Sequence, residues 1–207
     1  KNILLLSIFI GTFITLVFTL VTKSYSYNIQ KGISDEVIRL HVLANSDKDY
    51  DQQLKIKVKD GIVKMLENEL HNSMTKDETR IVLLKNLDKI EKRAEEIIKE
   101  NGYNYNVNAK ISFDDFPTKE YADVILPAGE YEALKIEIGE AKGKNWWCVM
   151  FPPLCFVDAS VKEVPKEDKE ILKSVLTDTE YDIVTKAKNE NNIPIKIKFK
   201  IVEWWQQ

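Results

Sequence analysis
The residues Tyr103-Asn-Tyr-Asn-Val-Asn-Ala-Lys-Ile-Ser-Phe113 set an apolar side chain at every second position and a polar one between. A period of two belongs to a half-buried strand, whose successive side chains point to opposite faces of a sheet. Immediately upstream the period is different. Leu83, Leu87, Ile90, Ala94 and Ile97 recur three and four residues apart as far as Asn101-Gly102, the spacing of one helix face closed by a glycine cap. The switch at Gly102 from helical to strand periodicity predicts an α+β domain.

Working back from Gly102, Thr75-Lys-Asp-Glu78 is a capping box that opens this helix. An earlier amphipathic helix is predicted from about Asp49 to Leu70 on the spacing of Leu54, Val58, Ile62, Met65 and Leu66. Before it, Ile38, Leu40, Val42 and Ala44 alternate with Arg39, His41 and Leu43, a strand ended by Asn45-Ser-Asp47. Working forward, Val124-Ile-Leu126 is a short extended segment, and a strand separates Tyr131, Ala133, Lys135 and Glu137 from Leu134, Ile136 and Ile138. Lys142-Gly-Lys-Asn145 reads as a turn from which Trp146 to Phe151 returns as the next strand of a hairpin or meander. Helical spacing resumes over 166–176, and Thr177-x-x-Glu180 opens a second short helix. Ile193 to Ile201 alternates with lysines, a final strand whose charged face resists edge pairing. The predicted fold is a mixed or largely antiparallel sheet of about five strands with two long helices packed on one face.

From Ile3 to Val21 the chain carries no charge, and as a helix this run reaches about 28 Å, close to the hydrocarbon thickness of a bilayer. It reads as a membrane anchor or a signal segment, with Ser24-Tyr-Ser26 the candidate cleavage region. The organisation is therefore a signal peptide or transmembrane anchor over 1–24, a polar tether over 25–34 and one exported domain over 35–207. All 33 Asp and Glu but only 28 of the 30 Lys and Arg lie beyond Tyr25, so the exported part is mildly acidic. No basic stripe points to nucleic acid.

Chemistry is sparsely provided. A serine or cysteine nucleophile needs a base held by a third group, and the only histidines are His41 and His71, neither near a strained nucleophile turn. A lone strand histidine reads as structural. A competing arrangement gathers Arg39, His41 and Asp114 in the cleft of a secreted envelope-acting hydrolase. Lys142-Gly-Lys144 lacks the remainder of a phosphate loop, and four metal ligands cannot be collected at finger-like spacing. No catalytic residue, metal or cofactor is expected. Cys148 and Cys155 flank Pro152-Pro153; they read as a disulfide contributing about 2–3 kcal/mol or as two small buried apolar residues.

What stands out instead is aromatic. Neighbouring Trp146 and Trp147 must point to opposite faces of a strand, so something besides the main core has to cover one of them. With Phe151, Pro152, Pro153 and Leu154, and with Trp204 and Trp205 after the last strand, they form the predicted partner-binding set, since Trp supplies large contact area at low entropic cost. A purely structural septal protein would use the same rings only for packing.

Three segments carry a resemblance: Ile38-Arg-Leu-His-Val-Leu-Ala-Asn-Ser-Asp47, Leu126-Pro-Ala-Gly-Glu-Tyr-Glu-Ala-Leu134, and Gly139 to Asp158 with its Asn-Trp-Trp-Cys-Val-Met-Phe-Pro-Pro-Leu-Cys run. Together they resemble the stage II sporulation protein R family of endospore-forming Firmicutes, from about Asp35 to Trp205. The resemblance implies a signalling protein exported from the forespore into the space between the septal membranes. Its implied partner there is stage II sporulation protein GA, a membrane aspartic protease that removes the pro-sequence of sigma-E. It implies binding rather than catalysis.

Overall fold
The first helix does not stop where the apolar run stops. In the computed structural model, which describes residues 2–71, 73, 75–156 and 163–186, helix α1 spans Asn2–Asp35. Among the described residues it is the one helix long and apolar enough to cross a membrane. Its apolar half packs on no other part of the described chain and is apolar all round, the surface of a signal sequence or membrane-spanning segment rather than of a helix seated on a protein core. The expected tether is helical too. Ile29 and Ile33, four residues apart, give its polar sequence a short apolar stripe, and Ile33 is completely buried. Lys76 then donates to the carbonyls of Ser34 and Asp35, at 3.2 and 2.8 Å, satisfying acceptors that a helix C-terminus leaves open.

Strand β1 (Ile38–Leu43) follows, then α2 (Asp49–His71) and α3 (Lys76–Glu100). Leu54, Val58, Ile62 and Leu66 of α2 and Leu83, Ile90 and Ala94 of α3 are buried against Ile38, Leu40 and Val42, as their periodicities predict. Each buried Leu, Ile or Val among them contributes about 1.5–3 kcal/mol by leaving water. The Thr75 hydroxyl accepts from the Glu78 amide at 3.2 Å, the predicted cap. Strand β2 (Val107–Phe116) begins four residues later than the alternation, with Tyr103 and Tyr105 packed on the core ahead of it. Phe113, expected on the buried side, is 65 % exposed; its place in the ladder is opposite Glu132, at the polar end of the helix layer where Arg80 and Lys76 converge.

Strands β3 (Lys119–Tyr121) and β4 (Val124–Leu126) form a separate small hairpin. Strands β5 (Gly129–Ile138) and β6 (Asn145–Phe151) complete a mixed four-stranded sheet in the order β2-β5-β1-β6. This corrects one expectation. β6 is not the hairpin partner of β5: β1 lies between them, parallel to β5 and antiparallel to β6. The β5–β6 connection instead crosses the end of β1 and is fastened there. Asn45 Oδ1 accepts from the Glu140 amide at 3.0 Å, the Ala44 carbonyl from the Gly143 amide at 2.9 Å, and Asp47 Oδ1 from the Lys144 amide at 2.6 Å. Gly139, at φ 57°, lies directly on the Asn45 side chain, where a Cβ would collide.

The sheet face away from α2 and α3 is covered at one end by the β3–β4 hairpin, the last turns of α1, α4 (Lys166–Val175) and α5 (Asp178–Lys186). The capping box at Thr177 and Glu180 forms in both directions, at 3.3 and 2.9 Å. The predicted strand over 193–201 and the tryptophans Trp204 and Trp205 lie outside the described residues.

Candidate functional site
Because β6 is pleated, Trp146 and Trp147 part company. Trp146 turns to the helix layer, where it packs on the main core with Lys59 Nζ 4.8 Å from its ring. Trp147 turns to the opposite face and stacks on His41 at 3.9 Å between centroids, with Phe116 tilted against it at 4.5 Å. Both indoles are half-buried. Phe151 and Leu154 are 1 and 2 % exposed, and Pro152 and Pro153 are buried, so this part of the predicted partner set is interior wall beneath the tryptophans. Cys148 and Cys155 are joined, with Cα atoms 5.5 Å apart, tying β6 to the single turn Leu154–Phe156.

Two polar layers lie under and beside Trp147. The deeper one is Arg39, completely buried, its guanidinium 4.3 Å from the Phe116 ring centroid and 4.9 Å from that of Tyr131. Its Nε donates to the Cys148 carbonyl at 3.3 Å and its Nη2 to the Tyr121 hydroxyl at 2.5 Å, while Nη1 has no partner. Tyr121 donates in turn to the Trp147 carbonyl at 3.3 Å. A buried cation thus holds the backbone of β6 on both sides of the Trp147–Cys148 peptide. No carboxylate pairs with Arg39 among the described residues, and facing aromatic rings stand in for one. Burial raises the hydroxyl pKa values of Tyr121 and Tyr131 and so keeps both phenols neutral beside that charge.

The shallower layer is His41, Asp114, Lys135 and Asn145. His41 Nδ1 lies 3.2 Å from Asp114 and Nε2 2.9 Å from Asn145 Oδ1; the second oxygen of Asp114 accepts from Lys135 at 2.9 Å. Burial pushes the Asp114 carboxyl up, but the hydrogen bonds from Lys135 and His41 outweigh it and hold it below its ordinary value. The expected juxtaposition of His41 with Asp114 is present, and Arg39 sits on the same strand face. The geometry does not assemble a nucleophile. Both imidazole nitrogens are engaged, and the Ser112 hydroxyl is 3.3 Å from Asp114 rather than on the histidine. A groove lined by Glu69, Ser73, Glu78, Ile81 and Val82 lies in the other layer of the molecule. No group of His, Cys, Asp and Glu among the described residues is arranged to hold a metal ion.

Sequence reading missed Tyr121, Phe116, Lys135 and Asn145 in this cluster. Phe116 and Lys135 had a signal, since each shares strand parity with Asp114 or Tyr131. Tyr121, on a three-residue strand outside the main sheet, had none.

Fold and site together define an α+β domain, carried behind an apolar helix, that presents a supported aromatic platform. The family described as Stage II sporulation protein R matches residues 34–161. The chain is also 40 % identical over 192 residues to Stage II sporulation protein R of Bacillus subtilis (strain 168), an alignment covering 88 % of this chain and 86 % of that protein. No solved structure matches it. The chain belongs to the stage II sporulation protein R family, and its role is in sporulation.

Proposed function
We propose that this protein is an exported signalling ligand that activates a membrane-bound aspartic protease, stage II sporulation protein GA, and thereby the processing of pro-sigma-E in the mother cell. One observation carries the reading: Trp147 is held half-exposed on a polar sheet face by buried His41 below its ring and by buried Arg39 and partly buried Tyr121 behind its backbone. A ring fixed in this way is a contact surface of the kind found at binding hot spots. The apolar α1 is compatible with export from the forespore into the septal intermembrane space, either cleaved or retained as an anchor. A ligand of this class works by binding the active state of its receptor more tightly than the inactive one, so it needs no catalytic group of its own.

The test is coexpression of the protease, pro-sigma-E and this chain. Trp147→Ala, compared with wild type at equal levels of folded protein, is expected to lower processed sigma-E about tenfold or more, the loss that follows from deleting a hot-spot tryptophan. Undiminished processing would remove Trp147 from the interface and this reading with it.

A further inference from the structure
Among the described residues strand β2 is an edge of the main sheet, and none of them pairs with its outer side along part of its length. In an antiparallel ladder, alternate residues turn both backbone groups to the same neighbour. The Ala109 amide donates outward, to Glu91 Oε1 at 2.8 Å, so Ile111, Phe113 and Asp115 share its outward orientation. Among the described residues no strand pairs with that side. Phe113, mid-edge, is 65 % exposed, and an exposed apolar edge is a template for another strand.

We propose that the occupant is a second copy of this chain, paired antiparallel through β2 about a two-fold axis at Ser112, so that the two sheets become continuous. Two-fold pairing requires outward residues to face outward residues. An axis at Ser112 meets this condition, setting Ile111 opposite the partner's Phe113 and Lys110 opposite the partner's Asp114. An axis at Phe113 also satisfies it, but it would set Lys110 against the partner's buried Phe116 and leave Asp114 facing a serine. Charge complementarity selects Ser112. Lys110 has half of its side chain in solvent with Glu137 2.9 Å away, and Asp114 is bound to Lys135 and His41, so the pairing links two existing charge networks across the axis. The ladder ends at Ala109, where Glu91 already occupies the amide and repels the partner's Asp115.

The axis makes a prediction that self-association through α1 does not. Residues facing each other on it in a non-hydrogen-bonded pair stand about 4.5 Å apart between Cα atoms, within disulfide reach. Full-length chain carrying Ser112→Cys, in membranes or nanodiscs with mild oxidant, is expected to give a cross-linked dimer, and Phe113→Cys to stay at the wild-type background. Adding Lys110→Glu to Ser112→Cys places like charges opposite each other twice and is expected to lower the yield about tenfold. Lys110 is exposed, so circular dichroism should be unchanged. Absence of a Ser112→Cys cross-link, preferential cross-linking of Phe113→Cys, or a yield indifferent to Lys110→Glu would each overturn the proposal.

Discussion

Trp147 and His41 lie face to face across adjacent strands, 3.9 Å between ring centroids and 23° from parallel. Their ladder register makes them direct neighbours. The histidine is fixed by Asp114 and Asn145, so the indole rests on a platform that cannot rotate away.

The two tryptophans should therefore fail differently. Trp146 packs into the main core, and Trp146→Ala should cost about 3 kcal/mol of stability, read as a lower denaturation midpoint. Trp147→Ala should cost about half as much while reducing protease activation more. Equal effects of both on stability and activation would show that the outward ring has no separate role.

Arg39 offers a test of a cation without a counter-ion. Arg39→Met keeps most of the volume and removes a buried charge that no carboxylate neutralises among the described residues; stability should stay within about 1 kcal/mol of wild type. Arg39→Ala leaves a cavity between Phe116, Tyr121 and Tyr131 and should cost about 3 kcal/mol. Chemical denaturation of both variants decides it. If Met is as damaging as Ala, the charge itself stabilises β6.

Glu132 governs part of the acid limb. The hydrogen bonds from Arg80, at 2.5 and 2.6 Å, are the main cause of its lowered carboxyl pKa, reinforced by Lys76 and opposed by burial. A folded-state pKa below the unfolded one means the stabilisation is present above the unfolded value of about 4.3 and is lost as the pH falls through the folded value. Glu132→Gln should lower stability by about 2 kcal/mol at pH 7 and flatten the loss below about pH 4.5. Melting curves from pH 7 to pH 3 provide the check.

The crossover at the end of β1 should be intolerant of one methyl group. A Cβ on Gly143 would meet the backbone carbonyl of Ser46, which cannot yield without breaking the Gly143–Ala44 hydrogen bond. Gly143→Ala should cost about 1–3 kcal/mol by overpacking. Gly102→Ala would meet no atom, but its φ of 82° carries a conformational penalty of about 1 kcal/mol. Thermal melts of the pair separate collision from backbone strain.

Periodicity carried the elements whose faces are decided locally. The stripes of α2 and α3, the alternation of β1 and β5 and the caps at Thr75 and Thr177 depend on neighbours three or four residues away, or on which face is wet. Strand order depends on contacts between distant segments. Adjacency suggested a β5–β6 hairpin; Asn45, from the turn after β1, decides otherwise by binding the connection itself. The site divides the same way. That Trp146 and Trp147 diverge follows from a pleat, but their separate coverings by Lys59 and His41 come from chain more than eighty residues upstream. The resemblance segments now have a physical meaning: Asn45-Ser-Asp47 and Gly139 to Asn145 are the two halves of one fastened crossover, and Pro127 supplies the carbonyl that accepts from the Tyr131 hydroxyl at 2.8 Å.

Under the proposed signalling role, the seating of Ile33 and Gln30 against the domain bears on how the ligand would reach a receptor. Peptide-bond cleavage near Ser26 would leave these docked turns in place, so the released and retained forms would display one and the same surface. They would differ in dimensionality. A tethered copy searches a plane at high effective concentration and with a fixed tilt, while a free copy searches a thin volume with every orientation open. Processing of the leader would then act as a control on encounter rate and range, leaving the affinity of the recognition surface unaltered.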